Sequence, residues 1–170
     1  ADTGALGADG WLVFGNVFSS GGDYEYGPFI APNACAAGLE PAFSCVAAGE
    51  GGPAQGAQQL VVFSDYNNND HGLGYTIESN VFQEQTIGGG DVGKTMQFSF
   101  DAKLGNIGGS STSSAYIKTL DPSTGYALTN FITFETTSIS DLWGTYSLSI
   151  LVDASLNGQI LQFGFLNTAS

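Results

Sequence analysis

The segment Ser64-Asp65-Tyr66-Asn67-Asn68-Asn69-Asp70-His71-Gly72 holds the densest run of hard-oxygen side chains in the chain. Asp65, Asn67 and Asn69 alternate, and Asp70 follows directly. Carboxylate and amide oxygens at alternate positions of a tight loop are the ligands that Ca²⁺ takes. The match to the helix–loop–helix calcium template is partial, because Asp70 stands where that template has glycine and Glu78 misses the required spacing. A polar turn, with asparagines chosen for left-handed backbone, is the other reading. The second concentration is aromatic. Tyr24, Tyr26 and Phe29 are interleaved with Asp23 and Glu25, and Tyr66 is available from the neighbouring loop. Sugar rings stack on such faces while nearby carboxylates and amides take the hydroxyls. Alternatively, the rings pin a long loop to the body of the protein.

Covalent catalysis finds little material. The one histidine, His71, lies in the polar Asn/Asp loop, and no Gly-x-Ser-x-Gly elbow accompanies it. Glu50, Glu78, Glu84 and Glu135 could supply the carboxylate pair of a glycosidase, but linear sequence places no two of them together. The run Gly88-Gly89-Gly90 has no following Lys-Ser pair and reads as a hairpin turn. The residue set therefore predicts a chain that is not an enzyme. Cys35 and Cys45 close a ten-residue step in a Gly/Ala/Pro-rich loop. A disulfide there would stabilise by roughly 2–3 kcal/mol and fits an oxidising compartment. Two buried thiols are the alternative, and a metal site lacks further soft ligands.

Composition bounds the partners. Three lysines, no arginine and sixteen carboxylates leave a formal net charge of −13. Such a chain repels nucleic acid and anionic membrane surfaces, because it has almost nothing with which to replace phosphate counterions. No apolar run approaches the ~20 residues of a membrane helix. The start, Ala1-Asp2-Thr3-Gly4, has the small residues left by signal-peptide cleavage, with an arbitrary boundary as the alternative. The expected location is extracellular or at the cell surface.

These residues need a scaffold, and the scaffold reads as β. Trp11-Leu12-Val13-Phe14 with Val17-Phe18, Ala42 to Val46, Gln59 to Phe63, Tyr75 to Gln85, Thr95 to Ala102, Ser114 to Leu120, Leu128 to Phe134, Thr145 to Val152 and Gln159 to Leu166 form about nine strands. Several alternate with period two, as in Met96-Gln97-Phe98-Ser99-Phe100. Gln59 to Phe63 is nearly continuous apolar, as for a strand buried on both faces. Turn chemistry separates the strands at Asp121-Pro122-Ser123-Thr124-Gly125 and Leu156-Asn157-Gly158. The pattern predicts one all-β domain over 1–170, an antiparallel β-sandwich of the jelly-roll kind. Residues 1–10 form an N-terminal arm and 19–56 a loop-rich excursion.

The phrases Asp9-Gly10-Trp11, Gly56-Ala57-Gln58-Gln59-Leu60-Val61-Val62-Phe63, Lys94-Thr95-Met96-Gln97-Phe98-Ser99-Phe100-Asp101-Ala102-Lys103 and Trp143-Gly144-Thr145-Tyr146-Ser147-Leu148-Ser149 resemble the jelly-roll carbohydrate-binding modules of the family 4, 9, 16 and 22 type. The resemblance spans about Asp9 to Leu166. It implies a bacterial, extracellular module for a neutral polysaccharide, with Tyr24, Tyr26, Phe29 and Tyr66 as candidate contacts. Modules of that type usually continue with a closing strand, which this chain lacks after Asn167-Thr168-Ala169-Ser170. The favoured expectation is a self-assembling structural subunit of a surface or matrix filament. Copies would add a strand at an open sheet edge beside Gln159 to Leu166, with Ala1 to Gly10 as the donor. A carbohydrate-binding module is the alternative.

Overall fold

A computed structural model describes residues 3–30, 43–49, 56–64 and 70–170. The chain opens with a short helix, α1 (Thr3–Ala8), followed by ten strands: β1 (Leu12–Phe18), β2 (Tyr24–Ile30), β3 (Phe43–Ala48), β4 (Gln58–Ser64), β5 (Thr76–Thr86), β6 (Thr95–Ala102), β7 (Thr112–Asp121), β8 (Ala127–Glu135), β9 (Gly144–Leu151) and β10 (Ile160–Ala169). All described pairings are antiparallel. One layer is a six-stranded sheet in the order β2-β1-β5-β10-β7-β8. Two two-stranded ladders, β3-β4 and β6-β9, make the opposing layer. The all-β sandwich read from the sequence is the architecture found. Among the described residues, no helix is long and apolar enough to cross a membrane.

Alternation sets the core. On β5, Ile77, Ser79 and Val81 face inward, and on β7 Ala115, Ile117 and Thr119 do the same. Ile87, Phe100, Leu148, Ile150, Val152 and Leu161 join Ile117 under the β6-β9 ladder, with Phe98, Phe163 and Phe165 packed against them. The β3-β4 side is filled by Leu6, Val13, Val17, Val46, Ile77 and Val81, with Trp11 and Tyr26 at its margin. Two buried hydroxyl contacts tie that ladder to the large sheet. Ser44 Oγ and Ser79 Oγ lie 2.8 Å apart, and Ser64 Oγ donates to the Asn167 carbonyl at 2.9 Å. Each satisfies polar atoms that burial would otherwise leave orphaned.

Several expectations are corrected. Residues 24–30, placed in a loop-rich excursion, form β2 and pair with β1. The alternation there is broken by two register shifts, so no period-two signal survives. The arm expected to be extended is helical over Thr3–Ala8 and packs on its own chain: Leu6 is buried, and Trp11 N donates to the Leu6 carbonyl at 2.8 Å. The segment Gln159 to Leu166 does not border an open edge. Its strand, β10, is paired on both sides, with β5 and with β7. The edges of the large sheet are β2 and β8. Gln59 to Phe63 is half-buried rather than buried on both faces, because its ladder covers only part of the larger sheet. Gly88 to Gly90 is no hairpin: it carries the chain from β5 in one layer to β6 in the other.

Candidate functional site

The six-stranded sheet has a second face, turned away from the core. Phe14 and Asn16 on β1, Glu78, Asn80 and Phe82 on β5, Gln162 and Leu166 on β10, Tyr116, Lys118 and Leu120 on β7 and Phe131 on β8 all fall on it by strand parity. Together they line a cleft of about 370 Å³. Register fixes their order. Phe82 pairs across β10 with Gly164, which pairs in turn with Tyr116. One row along, Glu84 is opposite Gln162, which is opposite Lys118, which is opposite Phe131.

Gly164 is the floor. A Cβ built there would collide with the Val81 carbonyl oxygen and lie 2.6 Å from Phe82 Cα, so β5 and β10 approach too closely for any side chain. The bare position leaves space between the two flanking rings. The Lys118 ammonium lies over both, 5.1 Å from the Tyr116 ring centroid and 5.9 Å from that of Phe82. Contacts at this range are attractive through the ring quadrupole.

Polar groups converge from the β1-β5 side. Glu78 Oε1 accepts from Asn16 Nδ2 at 3.1 Å and from Asn80 Nδ2 at 2.5 Å. Its second oxygen has no partner among the described residues. At the next row, Gln162 Nε2 donates to Glu84 at 2.9 Å. Tyr116 is 1% exposed, and its hydroxyl has no hydrogen-bond partner among the described residues. Such an orphan costs roughly 1–3 kcal/mol when buried. Burial, and then the Glu78 charge, push that hydroxyl well above the ordinary phenol value, so it remains a donor. Burial also pulls Lys118 below its ordinary value, while the Glu78 charge acts in the opposite direction.

The residues singled out from sequence do not converge. Tyr24 and Tyr26 lie on opposite faces of β2, because a register shift sets Tyr26 against Val17 and Tyr24 against Phe18. The exposed Tyr24 ring meets Phe18 edge-on at 5.9 Å, whereas Tyr26 is half-buried against the core and its hydroxyl donates to Asp70. Phe29 is in β2 opposite Gly15. Tyr66, Asp65, Asn67 and Asn69 lie outside the described residues. Among those described, no three His, Cys, Asp or Glu side chains come together as a metal site would require. Cys45 is fully buried on β3 and is not a free thiol. Its expected partner Cys35 lies outside the described residues. On the cleft face, Glu78 and Glu84 share one strand six positions apart, about 20 Å, beyond the ~10 Å limit for a glycosidase pair.

No family model matches the chain, and no curated protein matches it. Among solved structures it is similar to the enzymatically active domain of tailspike protein 4 from bacteriophage CBA120, with 12% identity and a TM-score of 0.49. The alignment covers 94% of this chain and 18% of that one, so the chain spans under a fifth of its neighbour's length. The expectation that the chain is not an enzyme is therefore withdrawn, since the domain it is similar to is enzymatically active. A likeness at this level assigns no reaction to this chain. The resemblance to carbohydrate-binding modules likewise stands at the level of an all-β sandwich.

Nothing in the motifs points to the cleft. Its signal lies in the off-core parity of four strands: Phe14 and Asn16, Glu78 to Phe82, Tyr116 to Leu120, and Gln162 to Leu166. These residues become a site only when β10 is known to lie between β5 and β7.

Proposed function

We propose that the chain is an extracellular saccharide-binding β-sandwich, with the cleft on the outer face of the six-stranded sheet as its ligand site. The observation that supports this most directly is the buried, unpartnered Tyr116 hydroxyl in an aromatic-walled cleft. Ligand sites combine apolar walls with a few convergent polar groups, and this one offers ring faces, one amide-held carboxylate and one ammonium. The volume falls within the ~300–1,000 Å³ range of small-molecule sites. From β1 to β8 the lining crosses four strand spacings, about 19 Å, which suits an oligosaccharide laid across the strands. The test is affinity electrophoresis in gels containing neutral polysaccharides. Phe82→Ala should abolish the retardation of the wild-type protein while circular dichroism stays unchanged. Failure of every polysaccharide to retard the wild type would remove the reading.

Association of copies through a sheet edge remains a second reading, carried by β8. This edge strand has nine residues without proline or lysine, and Leu128 and Phe131 are more than half exposed. Natural edges usually carry proline or lysine to block pairing. A monomeric mass in light scattering at high protein concentration would exclude it. Two smaller proposals remain open. Chelation should lower the melting temperature if Asp65, Asn67, Asn69 and Asp70 hold Ca²⁺, and non-reducing peptide mapping should link Cys35 to Cys45.

A further inference from the structure

We infer that the sugar unit lying over Gly164 is uncharged and is held by a free pair of neighbouring hydroxyls, read jointly by Tyr116, Lys118 and Glu78. This rests on the cleft being the saccharide site and specifies what that site selects. Tyr116 is a donor with no acceptor among the described residues. The Lys118 ammonium meets two ring faces, and among the described residues no carboxylate lies within ion-pair distance of it. Glu78 gives one oxygen to two amides, and the other has no hydrogen bond among the described residues. Among the described residues, the cleft thus presents two donors lacking an acceptor and one acceptor lacking a donor.

A hydroxyl is both at once. One hydroxyl accepts from Tyr116 and donates to Glu78, and its neighbour accepts from Lys118. An ether or ester at the first oxygen removes the proton that Glu78 needs and adds bulk over the glycine floor. Charge gives the second condition. Glu78 and Lys118 balance, so an uncharged unit leaves the cleft neutral. A carboxylated sugar would bring a second anion beside Glu78 into a partly desolvated site, which is unfavourable.

The experiment is titration calorimetry with hexasaccharides of glucose, mannose and xylose. Each is used intact, and again after periodate cleavage between neighbouring hydroxyls followed by borohydride reduction; a hexauronate is added as the charged probe. The intact saccharide that binds should lose at least about tenfold in affinity on oxidation, and the hexauronate should bind no better than the oxidised form. Tyr116→Phe should weaken the intact saccharide roughly fivefold and leave binding of the oxidised one unchanged. Loss of ring shape alone would not produce that non-additivity. Equal penalties on both ligands, wild-type affinity in Tyr116→Phe, or preferred binding of the hexauronate would overturn the inference. If Phe82→Ala abolishes binding while Tyr116→Phe binds with wild-type affinity, the cleft stands and the hydroxyl reading falls. If no hexasaccharide binds the wild type, both fall.

Discussion

Tyr116 is held where its hydroxyl weakens the fold. Removing that oxygen deletes an unsatisfied buried group without leaving a large void. Tyr116→Phe should therefore raise unfolding stability by about 1 kcal/mol, read as a higher urea midpoint at unchanged slope. A lower midpoint would mean that the hydroxyl already has a partner in the free protein. Tyr126 has the same character on the surface. It is 62% exposed and the only described non-glycine residue with positive φ, at 64°. The left-handed backbone costs a bulky residue roughly 1–2 kcal/mol, a cost that glycine avoids. Tyr126→Gly should accordingly stabilise by about 1 kcal/mol in the same assay. Both residues sit where stability alone would choose differently, which is common at sites kept for binding.

At the scale of elements, β10 decides the outcome, and Gly164 decides β10. Any side chain there must push β5 and β10 apart, so Gly164→Ala should destabilise by more than about 2 kcal/mol and disrupt the cleft, with loss of near-ultraviolet dichroism as the sign. The turns show a second device, used twice. Asp121 accepts from the backbone and hydroxyl of Ser123, and Asp153 does the same with Ser155. These bonds hold both carboxyls below their ordinary values. A depressed folded-state value contributes stability above the unfolded-state value, and that contribution disappears as pH falls through the folded one. Asp153→Ala should thus lower the melting temperature at neutral pH, and the difference from wild type should close in strong acid. Strand positions such as Thr95–Ala102 are legible from alternation alone. The β2 strand is not, because its bulges interrupt the alternation. The cleft is illegible for another reason: Phe82 and Tyr116 are 34 positions apart and meet only across Gly164.

For the molecule as a whole, charge governs the behaviour of the surface. A net −13 with three lysines makes the compact state repel itself. Raising monovalent salt from low levels to about 0.15 M, where the screening length is about 8 Å, should raise the melting temperature. A flat response would place the carboxylates in compensating local contacts instead. The seating of β10 between β5 and β7 also has a temporal consequence. During synthesis, β5 and β7 emerge well before the strand that joins them. Until Ile160–Ala169 leaves the ribosome, two long inner strands present unpaired backbone to any neighbouring chain. The β2-β1-β5 and β7-β8 parts can pair as they emerge, but the two halves of the large sheet cannot join before β10 is available. The large sheet then closes in one late step. Chains arrested before Ile160 should stay protease-sensitive on the ribosome, and refolding from denaturant should be slow for this size, as expected when the decisive contacts join distant parts of the chain.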